Sequence, residues 1–378
     1  MSEDFKKKLE DYSNGLLSKE ETEEVEKELD KMELYQSYLD SLMGSEEEPE
    51  KGPSLEKKLV KKGKWKARLQ NAWTALSLLL LFLIVGWVTS AIFYSWGSPS
   101  RQDVYSDVIK AAVETTQPNI TIGSTSMNGG VFTMDYEGEL RKMIGRESET
   151  VEQFQTKFLF GFFNVDLPDS LSERPFFFYP ENVVNYKITD GFDQLEKLPE
   201  GTVSELYITF TDYMSTNEFL KKMEDKEMMP VWMAADTGRE NERESNPIGP
   251  AEPFGFPYMG YGFKSDFKTV SKEEKKGLLG GYSTETSETE SMKSYGDGEK
   301  REAEFLKALH LIEEYRGRTE HLHWQSKEEL KAKIDYIEEN GVRLYGAVVT
   351  GPSKELLKLK EEDWVGSAKI GEKRLWNW

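Results

Sequence analysis

The residues best equipped for chemistry are three histidines, His310, His321 and His323. Imidazole nitrogen and carboxylate oxygen are ordinary zinc ligands, so the His-x-His pair with Glu313, Glu314 or Glu320 has the donor types of a metal site. Nothing in the spacing fixes a geometry, and surface or helix histidines are the plainer expectation. We assign no metal and no cofactor. The sequence has no cysteine, which removes thiolate catalysis and Cys-ligated zinc or iron–sulfur centres. It also lacks a Gly-x-Ser-x-Gly elbow, a phosphate-binding glycine loop and a His-Glu-x-x-His motif. Aspartate and glutamate number 69, so no single pair of them marks an acid–base site. No catalytic residue is assigned, and the chain is not expected to be an enzyme.

The chemistry that the sequence does support is recognition. Phe5, Leu9 and Tyr12 recur at helical spacing, and Asn14-Gly15 stops that helix because glycine tolerates a left-handed backbone. Ser18 opens a capping box with Glu21. A second helix follows, with Val25, Leu29, Met32, Leu39 and Leu42 at spacings of 4, 3, 7 and 3. Its other face carries Glu20, Glu23, Glu24, Glu26, Glu28, Asp30 and Glu33, and residues 44–53 are a polar linker with two prolines. A piece this small seldom builds its own core. An amphipathic helix pair with a spare apolar stripe is therefore expected to dock on another protein. The residues expected to carry that contact are Leu16, Leu17, Val25, Leu29, Met32, Leu39 and Leu42. Some of them must instead pack the two helices together.

Between Ala72 and Trp96 there are about 25 residues without a charge, enough for a helix to cross a bilayer core of about 30 Å. Trp73 lies at one end, Tyr94 and Trp96 at the other, where such rings prefer the headgroup level. Lys57, Lys58, Lys61, Lys62, Lys64, Lys66 and Arg68 precede the run, and only Arg101 follows closely. That bias predicts a cytoplasmic N-terminus and an exported C-terminal portion. The run starts too late and is too long for a cleaved signal peptide. The lipid bilayer is thus the first partner.

Charge is zoned in the same way. The whole chain carries a formal −20, residues 1–50 hold 17 acidic against 6 basic groups, and residues 51–70 hold 8 basic against one acidic. An acidic protein does not displace counterions from phosphates, so no nucleic-acid partner is expected. The basic stretch is explained by orientation and attraction to anionic lipid. A large exported region without cysteine must rely on its core rather than on disulfides.

The stretch LEDYSNGLLSKEETEEVEKELDKMELYQSYLDSL, residues 9–42, resembles the N-terminal domain of membrane-bound anti-sigma factors, which clamp extracytoplasmic-function sigma factors. Many of those carry a His-x3-Cys-x2-Cys zinc motif. The matching positions here are Glu28, Met32 and Tyr35, so the resemblance is to zinc-less members. YIEENGVRLYGAVVTGPSKELLKL, from Tyr336 to Leu359, and the closing Trp376-Asn377-Trp378 are similar to the exported domain of Bacillus-type sigma factor regulators, of the sigma-M type. The resemblance implies that the N-terminal helices sequester an extracytoplasmic-function sigma factor until an envelope signal releases it. Some systems of this type also use a second small membrane protein.

In the C-terminal portion a hairpin is expected after Asn128-Gly129-Gly130, and a strand over Gln153–Phe163 with Phe154, Phe158, Phe160 and Phe162 on one parity. Val203–Phe210, Ser215–Met223 and Pro230–Ala235 read as strand, helix, strand, a βαβ unit. Helices are expected over Glu302–Arg316 and from the capped Ser326 to Gly341, then a buried strand over Val342–Thr350. Two loops are candidate recognition surfaces. One is the aromatic 251–263, with Phe254, Phe256, Tyr258, Tyr261 and Phe263, for which burial is the plainer expectation; the other is the polar, protease-sensitive 279–299.

The expectation is a multidomain chain: an all-α cytoplasmic domain over 1–53, a basic juxtamembrane segment over 54–71, one transmembrane helix over 72–96, and a mixed α/β (α+β) extracytoplasmic domain over 97–378. The leading function is a membrane-anchored anti-sigma factor in the cell membrane. The alternative is a membrane-anchored envelope enzyme or cell-wall assembly factor.

Overall fold

The computed structural model describes residues 3–43, 54–163, 177–181, 190–238, 253–277, 280–288, 291–317 and 326–376. It falls into two compact units, Met1–Leu78 and Leu79–Trp378.

The first unit begins with α1 (Glu3–Ser13) and α2 (Lys19–Met43). Gly15 takes φ +68° between them, the left-handed geometry that glycine adopts without penalty. The Ser18 hydroxyl and the Glu21 carboxylate then satisfy each other's backbone N–H groups at 3.4 and 2.9 Å, so the expected capping box starts α2. A third helix, α3 (Ser54–Ser95), contains one stretch, Val60–Ser95, long and apolar enough to cross a membrane. Leu76 and the residues from Leu78 to Val85 expose their side chains, as a helix surrounded by hydrocarbon does.

The second unit takes in the C-terminal part of α3 from Leu79, followed by α4 (Arg101–Thr116), whose first turn is capped by Ser100. Next come β1 (Ile120–Gly129), β2 (Thr133–Ile144) and β3 (Glu147–Leu159), an antiparallel meander. The hairpin expected after Gly130 is the β1–β2 connection. Phe154 and Phe158 are buried on the expected parity. The parity ends at Leu159, because Phe160 turns to φ +53°, and Phe162 is left 76% exposed.

Further along are α5 (Asp190–Glu196), β4 (Thr202–Met214), α6 (Thr216–Met223), β5 (Met229–Ala235), β6 (Gly255–Pro257), and the β7 (Lys268–Gly277) and β8 (Gly280–Glu288) hairpin. The chain then forms α7 (Gly298–Glu314), α8 (Lys327–Asn340), β9 (Leu344–Pro352), α9 (Ser353–Leu357) and β10 (Val365–Leu375). The expected Ser326–Glu329 capping box and the Gly341 stop bound α8. Strands β4 and β5 flank α6 as expected, but β9 lies between them and is antiparallel to both; the sheet order is β10-β4-β9-β5-β6. With β4, β5, β9 and β10 taken in chain order, this is the 4-1-3-2 order of a split βαβ, ferredoxin-like sheet. Alternating hydrophobicity marks strands but not which later strand intercalates, so the sequence showed the unit and not the split.

One face of this sheet carries Leu206, Ile208 and Phe210 into a core shared with Phe219, Phe305, Leu309 and Ile334 of α6, α7 and α8. The other carries Tyr207, Trp232, Tyr345 and Val348 against Phe177 and Tyr179. Each fully buried side chain of this size contributes about 1.5–3 kcal/mol. The fold class is α+β, together with an N-terminal helical region.

Candidate functional site

The N-terminal helix pair is held by few contacts. Tyr12 donates to the Glu26 carboxylate at 3.1 Å, and Lys8 Nζ lies 3.1 Å from Glu24, so the polar ties of α1 fall on the first half of α2. The hydrogen bond to Glu26 pushes the Tyr12 phenol up, and the Ser18 hydroxyl and N–H hold Glu21 below its usual carboxylate range.

The seven residues expected to carry recognition divide accordingly. Val25 is 1% exposed and sits in the packing between helices, and Leu29 and Leu17 are half-buried. Leu16, Met32 and Leu39 are exposed. Leu42 belongs to α2, but its side chain lies outside the described residues. Beyond the reach of α1 the helix also exposes Leu34, Tyr35 and Tyr38, which the sequence reading did not assign. Their signal was present: Tyr35 precedes Leu39 by four and extends the 4-3-7-3 stripe. Leu34 and Tyr38, themselves i, i+4, stand about 160° and 120° round the helix from Met32 and form a second apolar strip. Exposed aromatic and aliphatic groups set among carboxylates form a surface suited to a partner with an apolar groove and a basic rim.

The other candidates resolve differently. His310 is exposed, 3.0 Å from Glu338 and 3.8 Å from Glu313, while His321, His323 and Glu320 lie outside the described residues. No group of three or more metal-ligating side chains occurs among the described residues. The aromatic loop is structural rather than a recognition surface: Phe254, Phe256, Tyr258, Tyr261 and Phe263 are all 3% exposed or less. Arg301 Nε donates to the Tyr258 carbonyl at 2.9 Å, and the N–H groups of Lys264 and Ser265 donate to Asp107 at 2.7 and 2.9 Å. In the polar loop, Gly280–Glu288 is the strand β8.

Two buried carboxylates went unnoticed because the chain has so many. Glu205 on β4 is fully buried, with Lys142 Nζ at 2.7 Å; it accepts from Asn119 Nδ2 at 2.7 Å, Tyr207 OH at 2.8 Å and the Glu372 N–H at 3.1 Å. A carboxylate so saturated ties the three-stranded and five-stranded sheets together. Glu114 on α4 is 1% exposed, and burial pushes its carboxyl up to about 8. Lys110, 3.9 Å away, and the Ile122 N–H at 2.8 Å oppose that rise only in part. At neutral pH Glu114 is therefore a protonated acid sealed in the core.

The model described as sigma factor regulator N-terminal matches residues 57–148, and the model described as sigma factor regulator C-terminal matches residues 195–372. The chain is 28% identical, over 388 aligned positions covering all of both chains, to the probable anti-sigma-M factor YhdL of Bacillus subtilis (strain 168). No solved structure matches. The two family models together span most of the chain, and with the full-length relative they place it: this protein belongs to the sigma factor regulator family.

Proposed function

We propose that the chain is an anti-sigma factor that holds an extracytoplasmic-function sigma factor on α1 and α2 and releases it when the envelope is perturbed. The observation that carries the reading is the exposed apolar surface of the C-terminal half of α2, from Met32 to Leu39, on a helix otherwise lined with carboxylates. A sigma factor meets DNA through basic surface, and acidic helices that cover it compete with that contact while complementary charge speeds the encounter. Val25 and Leu29 hold the helix pair together, and Met32, Leu34, Tyr35, Tyr38 and Leu39 make the contact. The activity is regulatory, not enzymatic.

The basic run in the first turns of α3 orients the helix with α1 and α2 in the cytoplasm and the α+β region outside. A single span transmits little by itself, so a second small membrane protein is included as a candidate partner. The test is capture of purified sigma factors by the detergent-solubilised full chain. One sigma factor is expected in stoichiometric amount, weakened by salt and lost on Leu39→Asp. If no sigma factor is captured while the helicity of the N-terminal region is intact, the reading fails.

A further inference from the structure

The stripe Phe82, Gly86, Ser90 and Phe93–Tyr94 runs along one face of α3 at helical spacing; two turns of the β-meander cover it from Gly86 to Tyr94 and touch Phe82 at its edge. Phe132, in the β1–β2 turn, lies with its ring centroid 5.4 Å from that of Phe82. A Cβ added to Gly86 would stand 2.6 Å from Val131 and 2.9 Å from the Phe132 ring, so glycine is required for this approach. The Ser90 hydroxyl donates to the Thr133 carbonyl at 2.9 Å. Phe160, in the turn after β3, packs on Phe93 at 5.1 Å and on Phe132 at 6.0 Å.

These partners belong to the apolar run. At 1.5 Å per residue, Gly86 lies about 15 Å along the helix from Trp96, where a belt residue marks the interface. The turns that touch Gly86 and Phe82 therefore reach below that interface. Their composition fits: beside the rings that face α3, Leu159 is 51% and Phe162 76% exposed, and both are apolar. Three of their backbone N–H groups are closed locally, which lowers the cost of leaving water. The Leu159 N–H donates to the Phe162 carbonyl at 2.8 Å, the Phe162 N–H returns the bond at 3.0 Å, and the Gly130 N–H donates to Thr133 at 2.8 Å. Phe132 and Phe160 both take positive φ, +61° and +53°, positions where Gly or Asn is the ordinary choice. Keeping phenylalanine at both turns gives each an aromatic ring directed at the helix. Two residues back from Leu159, Lys157 is exposed and paired with Asp135 at 3.4 Å, a charged collar at headgroup height.

We infer that the two turns, around Val131–Phe132 and Leu159–Phe162, are seated in the bilayer leaflet on the C-terminal side of α3, with Leu159 and Phe162 against lipid chains. The inference rests on α3 being a membrane span. The lack of cysteine makes the test direct, because one introduced cysteine is the only one in the chain. Leu159→Cys and Phe162→Cys replace exposed side chains. Leu80→Cys reports the span, and Gln153→Cys reports exposed β3 about 20 Å from Leu159. Each full-length variant is nitroxide-labelled in lipid nanodiscs, and its collision rates with oxygen and with a water-soluble nickel chelate are compared. Labels at 159 and 162 are expected to favour oxygen as at 80, at least tenfold over the ratio at 153. Labels at 159 and 162 that read as at 153, with 80 in lipid, overturn the inference and leave the span intact. Labels shielded from both reagents overturn it in favour of a protein partner. An aqueous reading at 80 removes the span, and the inference with it.

Discussion

The two ends of the chain are built on opposite rules. In the N-terminal helix pair Val25 is the one hydrophobic side chain below 9% exposure among the described residues, and six large apolar groups stand in solvent between Leu16 and Leu39. In the second unit the α+β region buries both faces of its five-stranded sheet and ties down nearly every buried polar group. A helix pair without a core cannot be stable through packing alone, so its sequence is tuned for what it meets. The folded region is tuned for itself, and its unusual groups are ties rather than active sites.

The largest effect that would sharpen this contrast is in the folded region. Trp232 is fully buried and donates from Nε1 to the Glu114 carbonyl at 2.8 Å. Trp232→Ala is expected to destabilise the second unit by about 3–5 kcal/mol through lost burial and a cavity, seen as a lower denaturation midpoint. Capture of a sigma factor by the same protein should be unchanged. If capture falls in parallel with stability under conditions where the second unit stays folded, the two regions are not independent and the comparison breaks.

Next is the pH dependence of Glu114. Its folded carboxyl titrates near 8, raised from the usual carboxylate range by burial. The folded state therefore keeps a proton that the unfolded chain loses near its ordinary value. Stability from this group is full below about pH 4.5 and falls by up to about 1.4 kcal/mol per pH unit until about pH 8. Glu114→Gln keeps an oxygen for the Ile122 N–H and carries no charge. Between pH 5.5 and 7.5 its unfolding midpoint should stay flat while that of the parent declines. Parallel curves would place the pH response elsewhere.

What the sequence made legible follows the reach of each interaction. Ser18, Gly15, Ser326 and Gly341 act within one helical turn, and their caps and stops stand where the sequence put them. The uncharged run of α3 is equally local. The insertion of β9 between β4 and β5, the burial of Phe254 through Phe263, and the roles of Glu114 and Glu205 all depend on residues far along the chain. An aromatic Gly-Pro loop reads alike whether it is buried or displayed. For the helix pair, the stripe was visible, but its division into buried and exposed residues required the position of α1.

A smaller effect probes the N-terminal face alone. Leu34 and Tyr38 are 70% and 59% exposed, so removing them costs the free chain little. If they meet a sigma factor, Leu34→Ala with Tyr38→Ala should weaken binding by about 2 kcal/mol, roughly thirtyfold in Kd, with circular dichroism unchanged. Unchanged affinity would take Leu34 and Tyr38 out of the contact and leave it to Met32, Tyr35 and Leu39.

The smallest expected effect separates preorganisation from contact. The Ser18 hydroxyl bonds only within its own capping box, so Ser18→Ala removes no apolar group from α2. Losing an N-cap costs about 1 kcal/mol, and with little tertiary packing to compensate, the cost appears as fraying of the first turn of α2. That turn positions Val25, where α1 docks, so the free helix pair should lose helicity measurably by circular dichroism. Binding then has to restore the turn, and affinity should fall by about 1 kcal/mol, roughly fivefold. Unlike the loss at Leu34 and Tyr38, this one should be reversed by Ser18→Asp, because an Asp carboxylate caps the same N–H. Rescue by aspartate would show that the helix pair is partly ordered before it binds. Affinity that stays low with the cap restored would instead mean that the Ser18 hydroxyl itself meets the partner.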